Sequence, residues 1–361
     1  MTETVLVGMS GGVDSSVTAA LLHEQGYRVI GITLNVWPEG EDVGVIERED
    51  ACCALGAVED ARRVCSVLGV PHYVVNFRDT FRRHVIDNFV EEYSRGRTPN
   101  PCVRCNQFIK FDALLAKAEA VGADYVATGH YARIAQLPSG RFALRKAVDA
   151  RKDQSYVLYV MSQERLARTM FPLGDRTKDE TRQLAEDLRL HVAGKPESQE
   201  ICFVPTRDYR DYLRQHAPAA LHAGRIVSGE GEDLGRHEGV AFYTVGQRRG
   251  LGIASTKPLF VSEINHETNT LVVGDESLLY RTEARVEAPH WVAIEDLREP
   301  LRVSAKARYK APEVPATIEP DGDRVRVRFD EPQRAITPGQ TIVFYDGDVV
   351  VGGGTISGDR G

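Results

Sequence analysis

Two stretches of this sequence place reactive residue types at spacings that suit chemistry. The first is Ser10-Gly11-Gly12-Val13-Asp14-Ser15-Ser16, which follows a strand-like run and opens a helix whose apolar side includes Val17, Ala20 and Leu21. Glycines let the backbone curl so that successive N–H groups, added to the helix dipole, face an anion, and the serine hydroxyls supply further donors. A phosphate site is the expectation. The loop lacks the lysine of the G-x-x-x-x-G-K-[ST] motif and the G-x-G-x-x-G spacing of a dinucleotide fold, so neither of those classes fits. A plain Gly-Ser turn has the same spacing, but the order strand, loop, helix favours the anion site.

The second stretch is Thr98-Pro99-Asn100-Pro101-Cys102-Val103-Arg104-Cys105-Asn106, read as a proline-stiffened loop that presents two thiols beside Arg104, whose charge favours the thiolate. Cys202 lies in Ser198-Gln199-Glu200-Ile201-Cys202-Phe203, just past a linker containing Gly194, Lys195, Pro196 and Glu197. Cys65 falls at helical spacing beside Val64 and Leu68, the pattern of a buried thiol. Cys52 and Cys53 are adjacent and receive no role. A zinc site would draw on Cys102, Cys105 and Cys202, with His130 a distant fourth ligand.

The elements that must position these residues change character along the chain. Thr4–Met9, Val29–Asn35, Pro71–Phe77 and Asp124–Thr128 read as strands, and Asp50–Leu68 and Phe111–Val121 as helices, the latter closed by Gly122. This βαβ rhythm predicts an α/β fold with a doubly wound parallel sheet. Thr177–Glu180 is a capping box opening another helix. From about residue 220 the pattern is β, with hairpin connections at Gly229–Gly235, Asn265–Asn269 and Asp321–Asp323 and a division near Ser277–Thr282. The expected domains are 1–203, 204–281 and 282–361, the last a β-barrel, with Gly352–Gly354 read as a low-complexity tail.

The chain has 361 residues, 42% of them apolar and 27% charged, with a net charge of −7. Those fractions exclude disordered, collagen-like and coiled-coil classes. No apolar run approaches the roughly 20 residues of a membrane span, the first residues lack the basic region of a signal peptide, and six cysteines fit a reducing cytoplasm. The acidic total argues against a nucleic-acid partner only as a sum. Arg95, Arg97, Arg104 and Lys110 form one basic stretch, Arg141, Arg145, Lys146, Arg151 and Lys152 a second, and Arg302, Lys306, Arg308 and Lys310 a third. Phosphate contact depends on local charge, although each stretch by itself also reads as a solvated face.

The Ser10–Ser16 loop resembles the PP-loop of the N-type ATP pyrophosphatases, which cleave ATP between the α- and β-phosphates and transfer AMP to a carbonyl oxygen; Asp14 in the first helical turn suits a Mg²⁺ ion on those phosphates. Over essentially the whole chain, GMSGGVDSS, GRTPNPCVRCNQFIKF, ATGHYAR, KDQSY, ESQEICF, FYTVGQRRGLGI, ARY and PGQ resemble the tRNA-specific 2-thiouridylase family. The resemblance implies a sulfurtransferase that uses ATP and Mg²⁺ to place sulfur at position 2 of the wobble uridine of tRNA. It implies that Gly8, Met9, Ser10, Gly11, Gly12, Val13, Asp14, Ser15, Leu34 and Gly129 contact ATP, with Leu34 standing where the family often has Met. Asn100, Pro101 and Cys102 would meet the target base, and His130, Lys152, Asp153, Gln154, Arg308, Tyr309 and Gln340 would touch tRNA. Cys105 matches the nucleophile and Cys202 the persulfide carrier, loaded by a sulfur-donor protein, in a monomeric cytoplasmic enzyme.

AMP on the uracil oxygen turns a poor leaving group into a good one. The persulfide then attacks the activated carbon, AMP departs, and Cys105 attacks the Cys202 end of the sulfur–sulfur bond to release the thiolated base, leaving a Cys105–Cys202 disulfide to be reduced. One position departs from the family: many members have Asp where this chain has Cys102. An alternative follows, in which Cys102, Cys105 and Cys202 hold a 4Fe-4S cluster with one iron left for the transferred sulfur. The competing functions are another PP-loop synthetase that adenylates a small amide or carboxylate, and a non-catalytic tRNA- or zinc-binding module.

Overall fold

The computed structural model describes residues 2–37, 55–196, 201–204, 208–218 and 221–358. Cys52, Cys53, the start of the Asp50–Leu68 helix and the Glu197–Glu200 part of ESQEICF lie outside these residues. The chain divides into two compact units, one formed by 1–85, 102–207 and 348–350 and the other by 86–101, 208–347 and 351–361.

The first unit is built on β1 (Thr4–Gly8), β2 (Arg28–Asn35), β3 (His72–Asn76), β4 (Tyr125–Ala127) and the short strand Thr169–Met170, all parallel, with β1 at the centre between β2 and β4. Alternation along β1 explains why both faces are covered. Val5 and Val7 point into a cluster with Val17, Leu21, Ala61 and Val64 from helices α1 (Val13–Glu24) and α2 (Leu55–Leu68). Leu6 points the other way, onto Ile32, Leu114, Ala118 and Val126. A central strand buried on both faces has to read as a continuous apolar run, as Val5-Leu6-Val7 does. This is the doubly wound sheet the sequence predicts. A β-hairpin of Ala132–Gln136 and Phe142–Lys146 follows β4.

Two helical runs carry a local widening. Arg78–Phe81 continues as a π-helical turn, Arg82–Ile86, before regular helix resumes at Asp87–Ser94. Pro101–Cys105 passes directly into a π-helical segment, Asn106–Ala113, and then into Leu114–Ala120. The CVRC segment is therefore helix, where the sequence reading expected a loop. Pro101 at the first helical position has the required φ and gives up only an N–H that no helix would use there, so proline starts this element instead of preventing it.

The second unit holds two β structures. Gly224–Ser228, Asp233–His237, Phe260–Asn265 and Thr270–Gly274 form a four-stranded sheet. The six strands Tyr280–Trp291, Leu301–Lys306, Val314–Asp321, Arg324–Arg334, Thr341–Asp346 and Val349–Ile356 form a barrel, closed where Val286 and Glu287 of the first pair with Ile356 and Thr355 of the last. Val286, Val303, Ile318, Val325, Val327, Ile342 and Phe344 fill its interior. All three expected hairpin connections are present. Gly352–Gly354 is not a tail: it lies in the closing strand, where a Cβ at Gly352 would sit 2.5 Å from the His290 carbonyl oxygen.

Candidate active site

In the first unit the strand order reverses between β1 and β4, and at such a switch point the loops leaving the two strands diverge and open a crevice. Met9–Gly12 leaves β1 on one side of it and Thr128–His130 leaves β4 on the other. Gly11 turns the first loop with φ +70°, and a Cβ there would lie 2.2 Å from the Ala57 carbonyl oxygen. Gly12 is the extended residue that caps α1, and no side chain caps the N–H groups of that first turn. The serine hydroxyls point back into the loop instead: Ser15 Oγ accepts from the Ser10 N–H at 3.1 Å and Ser16 Oγ donates to the Gly12 carbonyl at 2.8 Å. Across the crevice, a Cβ on Gly129 would fall 2.7 Å from the Asp14 carbonyl carbon and 2.8 Å from the Ser15 nitrogen. An uncapped helix N-terminus beside two glycines suits a phosphate chain.

The other nucleotide candidates differ in what they offer. Met9 and Val13 are buried and present backbone only; the Met9 carbonyl accepts from Thr33 Oγ1 at 2.9 Å, and that hydroxyl is 2.8 Å from His72 Nε2. Leu34 is half-buried beside Leu6 and Ile32, and Gly8 ends β1. Asp14 carries more than the sequence indicates. Its Oδ1 accepts from the Tyr131 hydroxyl at 2.8 Å and pairs with Lys178 Nζ at 2.7 Å. A second lysine, Lys195, donates to the Gly11 carbonyl at 3.2 Å and to Asp60 Oδ2 at 2.8 Å, with His191 on the other Asp60 oxygen at 3.0 Å. Those two partners hold the Asp60 carboxyl below its usual range against the opposing effect of burial.

The cysteines sit around the widened helices. Cys102 is exposed, Cys105 and Cys202 are half-buried, and none of the four described cysteines forms a disulfide. Arg104 is anchored to the preceding helical run. Its Nε donates to the His84 carbonyl at 3.2 Å, and its guanidinium lies 4.6 Å from the Phe108 ring centroid, while His84 stacks on the same ring at 4.4 Å. Phe203, next to Cys202, packs edge-on against Phe81 at 5.8 Å. The segments carrying Cys105 and Cys202 are thus both anchored to the helical run 78–86. Among the described residues no three His, Cys, Asp or Glu side chains converge as metal ligands, so Cys102, Cys105 and Cys202 are not gathered into the three-thiolate set a 4Fe-4S cluster needs. The π-turn begins directly after Cys105, and helix exposes Cys102 three positions earlier. Cys65 is buried as expected, and burial pushes its thiol up to about 11.

The residues assigned to RNA contact are distributed over both units. His130 is 6% exposed, 2.7 Å from Thr128 Oγ1 and 3.4 Å from Lys110 Nζ; burial, with Lys110 beside it, holds the imidazole well below its usual range. Asp153 accepts from the N–H groups of Ala147 and Ser155, and Gln154 Oε1 accepts from the Tyr131 N–H at 2.9 Å, so both tie the loop after the hairpin to the strand ends. Lys152 is half-buried beside them. In the second unit, Gln340 Nε2 donates to the carbonyls of Thr98 at 2.9 Å and Pro99 at 3.3 Å, and the Thr98 N–H donates to the Pro338 carbonyl at 2.8 Å. The PGQ segment therefore straps the loop that leads into Asn100 and Pro101. Arg308 donates to the Arg334 carbonyl, and Tyr309 is 42% exposed with Lys306 Nζ 5.9 Å from its ring centroid. Several arginines of the basic stretches are matched by acids: Arg95 by Glu91, Arg97 by Glu92 and Glu287, Arg151 by Asp149 and Asp179, and Arg302 by Asp330.

Sequence reasoning missed Tyr131, Lys178 and Lys195. Each is distant in sequence from the loop it contacts, and only Lys178 left a signal: a lysine in the first turn of a capped helix stands where the dipole disfavours a cation.

A parallel sheet with a glycine–serine anion cradle at its switch point defines an α/β nucleotide-binding domain, and the family profile described as "tRNA methyl transferase HUP domain" matches residues 3–206. Profiles described as "tRNA methyl transferase PRC-barrel domain" and "Aminomethyltransferase beta-barrel domain" match 210–275 and 281–356. Among curated relatives, a tRNA-specific 2-thiouridylase MnmA of Heliobacterium modesticaldum is 54% identical over 99% of this chain and 93% of its own length. Another of the same name from Clostridioides difficile is 51% identical over 99% of this chain and 98% of its own. A solved 4-thiouridine synthetase–RNA complex with bound ATP aligns over 60% of this chain and 51% of that one, at 19% identity and a TM-score of 0.35. The chain belongs to the family of the tRNA-specific 2-thiouridylases MnmA.

Proposed function

We propose that this protein is an ATP-dependent tRNA sulfurtransferase that replaces the 2-carbonyl oxygen of the wobble uridine with sulfur. The observation that carries the reading is one unit holding both an anion cradle at the switch point and two thiol-bearing segments anchored to a common helical run, in a chain whose curated relatives are named tRNA-specific 2-thiouridylase. A uracil carbonyl is a weak electrophile, so the cradle and the cysteines are two halves of one reaction. The uracil oxygen attacks the α-phosphorus, and the bond to the bridging oxygen breaks with its electron pair leaving on pyrophosphate. The N–H groups of the first turn of α1 are suited to hold the phosphates, and Asp14 to hold a Mg²⁺ ion, which would neutralise phosphate charge.

Cys202 is the residue loaded as a persulfide by a donor protein. Its terminal sulfur attacks C2, AMP leaves, and Cys105 attacks the remaining sulfur–sulfur bond so that a Cys105–Cys202 disulfide forms and the thiolated base departs. An external thiol must reduce that disulfide before the next turnover. The anticodon base leaves its stack to reach the site, with Asn100 and Pro101 on a loop held by Gln340, and with Lys152 and Tyr309 contacting the RNA. His130, Asp153 and Gln154 act on the RNA through the loops they hold. In this reading the enzyme acts as a monomer in the cytoplasm.

The test is anaerobic incubation with unmodified tRNA, ATP, Mg²⁺ and a thiol reductant, in parallel with a persulfide-bearing donor and with inorganic sulfide as the sulfur source, followed by digestion to nucleosides. The expected products are 2-thiouridine and an equivalent of pyrophosphate, with neither Cys105→Ser nor Cys202→Ser giving thiolated base while both still bind tRNA. Absence of 2-thiouridine from the wild type refutes the reading. Iron and acid-labile sulfide assays on anaerobically purified protein decide the sulfur route: full activity without iron supports the relay, and activity that tracks cluster content supports the 4Fe-4S alternative.

A further inference from the structure

The loop that leads into Asn100 and Pro101 is fixed at Thr98 through every polar group that residue has. Its N–H donates to the Pro338 carbonyl at 2.8 Å, its carbonyl accepts from Gln340 Nε2 at 2.9 Å, and its Oγ1 donates to Thr244 Oγ1 at 3.2 Å. The first two bonds use backbone and come from the barrel. The third uses the side chain and comes from FYTVGQRRGLGI, a segment that holds neither a thiol nor an acid. Two residues earlier Gly96 turns with φ +68°, and a Cβ there would lie 2.5 Å from Ile264 Cγ2, so the start of the loop presses on the four-stranded sheet as well.

Thr244 is held as firmly as the residue it meets. Its N–H donates to Gln247 Oε1 at 3.2 Å, and its carbonyl accepts from the Gln247 N–H at 3.0 Å. The Gly246 N–H donates to the Val261 carbonyl at 2.8 Å, and the Val261 N–H donates to the Gln247 carbonyl at 2.9 Å. Gly246 takes φ +91°, and a Cβ there would lie 2.9 Å from the Cβ of Ala335, so the turn seats closely against the end of a barrel strand. The Thr244 hydroxyl also shares a hydrogen bond with the Tyr209 hydroxyl, and the Tyr209 ring stacks on Tyr93 at 4.6 Å. A turn closed by this many bonds offers Thr98 a fixed partner.

We propose that Thr244 is a positioning residue for the target base: its hydroxyl, acting through Thr98, holds the loop in the one arrangement from which Asn100 and Pro101 meet the uracil. A loop tied by the barrel alone could pivot about its two backbone bonds. The hydroxyl contact from a second β structure removes that freedom before RNA arrives, so the loop has little order left to lose on binding. A base displaced by about 1 Å from its reacting position reacts on the order of 100-fold more slowly. The proposal rests on the reading that Asn100 and Pro101 meet the wobble base, and it holds for either sulfur route.

The experiment measures equilibrium binding of two unmodified tRNAs to the full-length protein and its variants, one with uridine at the wobble position and one abasic there. The wild type binds the uridine form more tightly, and the ratio of the two affinities reports the base contact alone. In Thr244→Val that ratio falls by about threefold to tenfold, the size of one lost hydrogen bond, while affinity for the abasic form holds. The single-turnover thiolation rate at saturating tRNA falls with it. Thr244→Ser, which keeps the hydroxyl, restores both. An unchanged ratio in Thr244→Val, an equal loss for both RNAs, or a Thr244→Ser variant as impaired as Thr244→Val overturns the proposal. If Thr244→Val melts too low for titration, Thr98→Val removes the other hydroxyl of the same contact and carries the same readouts. A wild type that binds both RNAs equally overturns the proposal together with the placement of Asn100 and Pro101 at the base. A wild type that discriminates as described but makes no 2-thiouridine refutes the thiolation reading and leaves the role of Thr244 standing.

Discussion

Replacing Gly129 by alanine tests whether the crevice between β1 and β4 is the nucleotide site. The added Cβ would lie 2.7 Å from the Asp14 carbonyl carbon, 2.8 Å from the Ser15 nitrogen and 2.9 Å from the Asp14 Cβ. None of these is the free end of a flexible side chain; all belong to the first turn of α1. Ordinary carbon contacts lie near 3.5–4.0 Å, so the loop or the helix must shift by about 1 Å. A displacement of that size is worth on the order of 100-fold where groups must be held in reacting geometry, and overpacking of this kind costs about 1–3 kcal/mol in stability. For a domain of this size that corresponds to a fall in Tm of roughly 2–10 °C. The assay is calorimetric titration of AMP and of pyrophosphate with a parallel melting curve, using Gly56→Ala as the control, because a Cβ at Gly56 meets nothing within 4 Å. Nucleotide affinity within about twofold of wild type, with the melting temperature unchanged, would refute the placement of the site, since it would mean that a shift of the helix N-terminus of about 1 Å leaves binding untouched.

The remaining predictions concern the supports of the site. Gln340→Ala removes both donors to the Thr98 and Pro99 carbonyls and is expected to destabilise that loop by about 1–3 kcal/mol; faster amide hydrogen exchange at Thr98 and a lower thiolation rate with unchanged AMP binding check it. His130 is held neutral in the fold, its folded pKa lying well below the ordinary 6.5. Below that value the unfolded chain takes up a proton that the folded chain does not, so stability is full above it and declines as pH falls through it. The slope approaches about 1.4 kcal/mol per pH unit, and melting curves at pH 7.5 and 5.5, in about 0.15 M salt, are expected to converge in His130→Gln relative to wild type. Asp149→Asn weakens the hold on the Arg151 guanidinium and on the Lys178 N–H, and a melting temperature lowered by loss of those charge-assisted bonds is the expected result.

Much of this site was legible because its signals are local. Ser10–Ser16 declares itself through glycines and serines that only a tight turn before a helix requires, and Thr177–Glu180 announces a helix start within four residues. The CVRC reading failed for the same locality: two prolines in four residues suggest a stiff loop, yet a proline is also a good first residue of a helix, and nothing nearby distinguishes the two. Arg104 was read by proximity in sequence to Cys105, and the structure adds the His84 carbonyl, twenty positions away, and the Phe108 ring as its contacts.

By itself the sequence determined the class of chemistry: an anion-binding turn, thiols outside any core pattern, and alternating apolar periods that dictate a parallel sheet and then β structure. Those properties follow from backbone freedom and side-chain type, which each short segment carries with it. Tertiary structure alone decided which charges meet. Lys178 and Asp14 are 164 residues apart and form one ion pair, Gln340 reaches a loop 242 residues away, and Arg97, Arg145 and Arg302 of the basic stretches meet Glu287, Asp348 and Asp330, acids distant in sequence. A Coulomb interaction depends on distance in space and on burial, and neither quantity is written in the order of the residues.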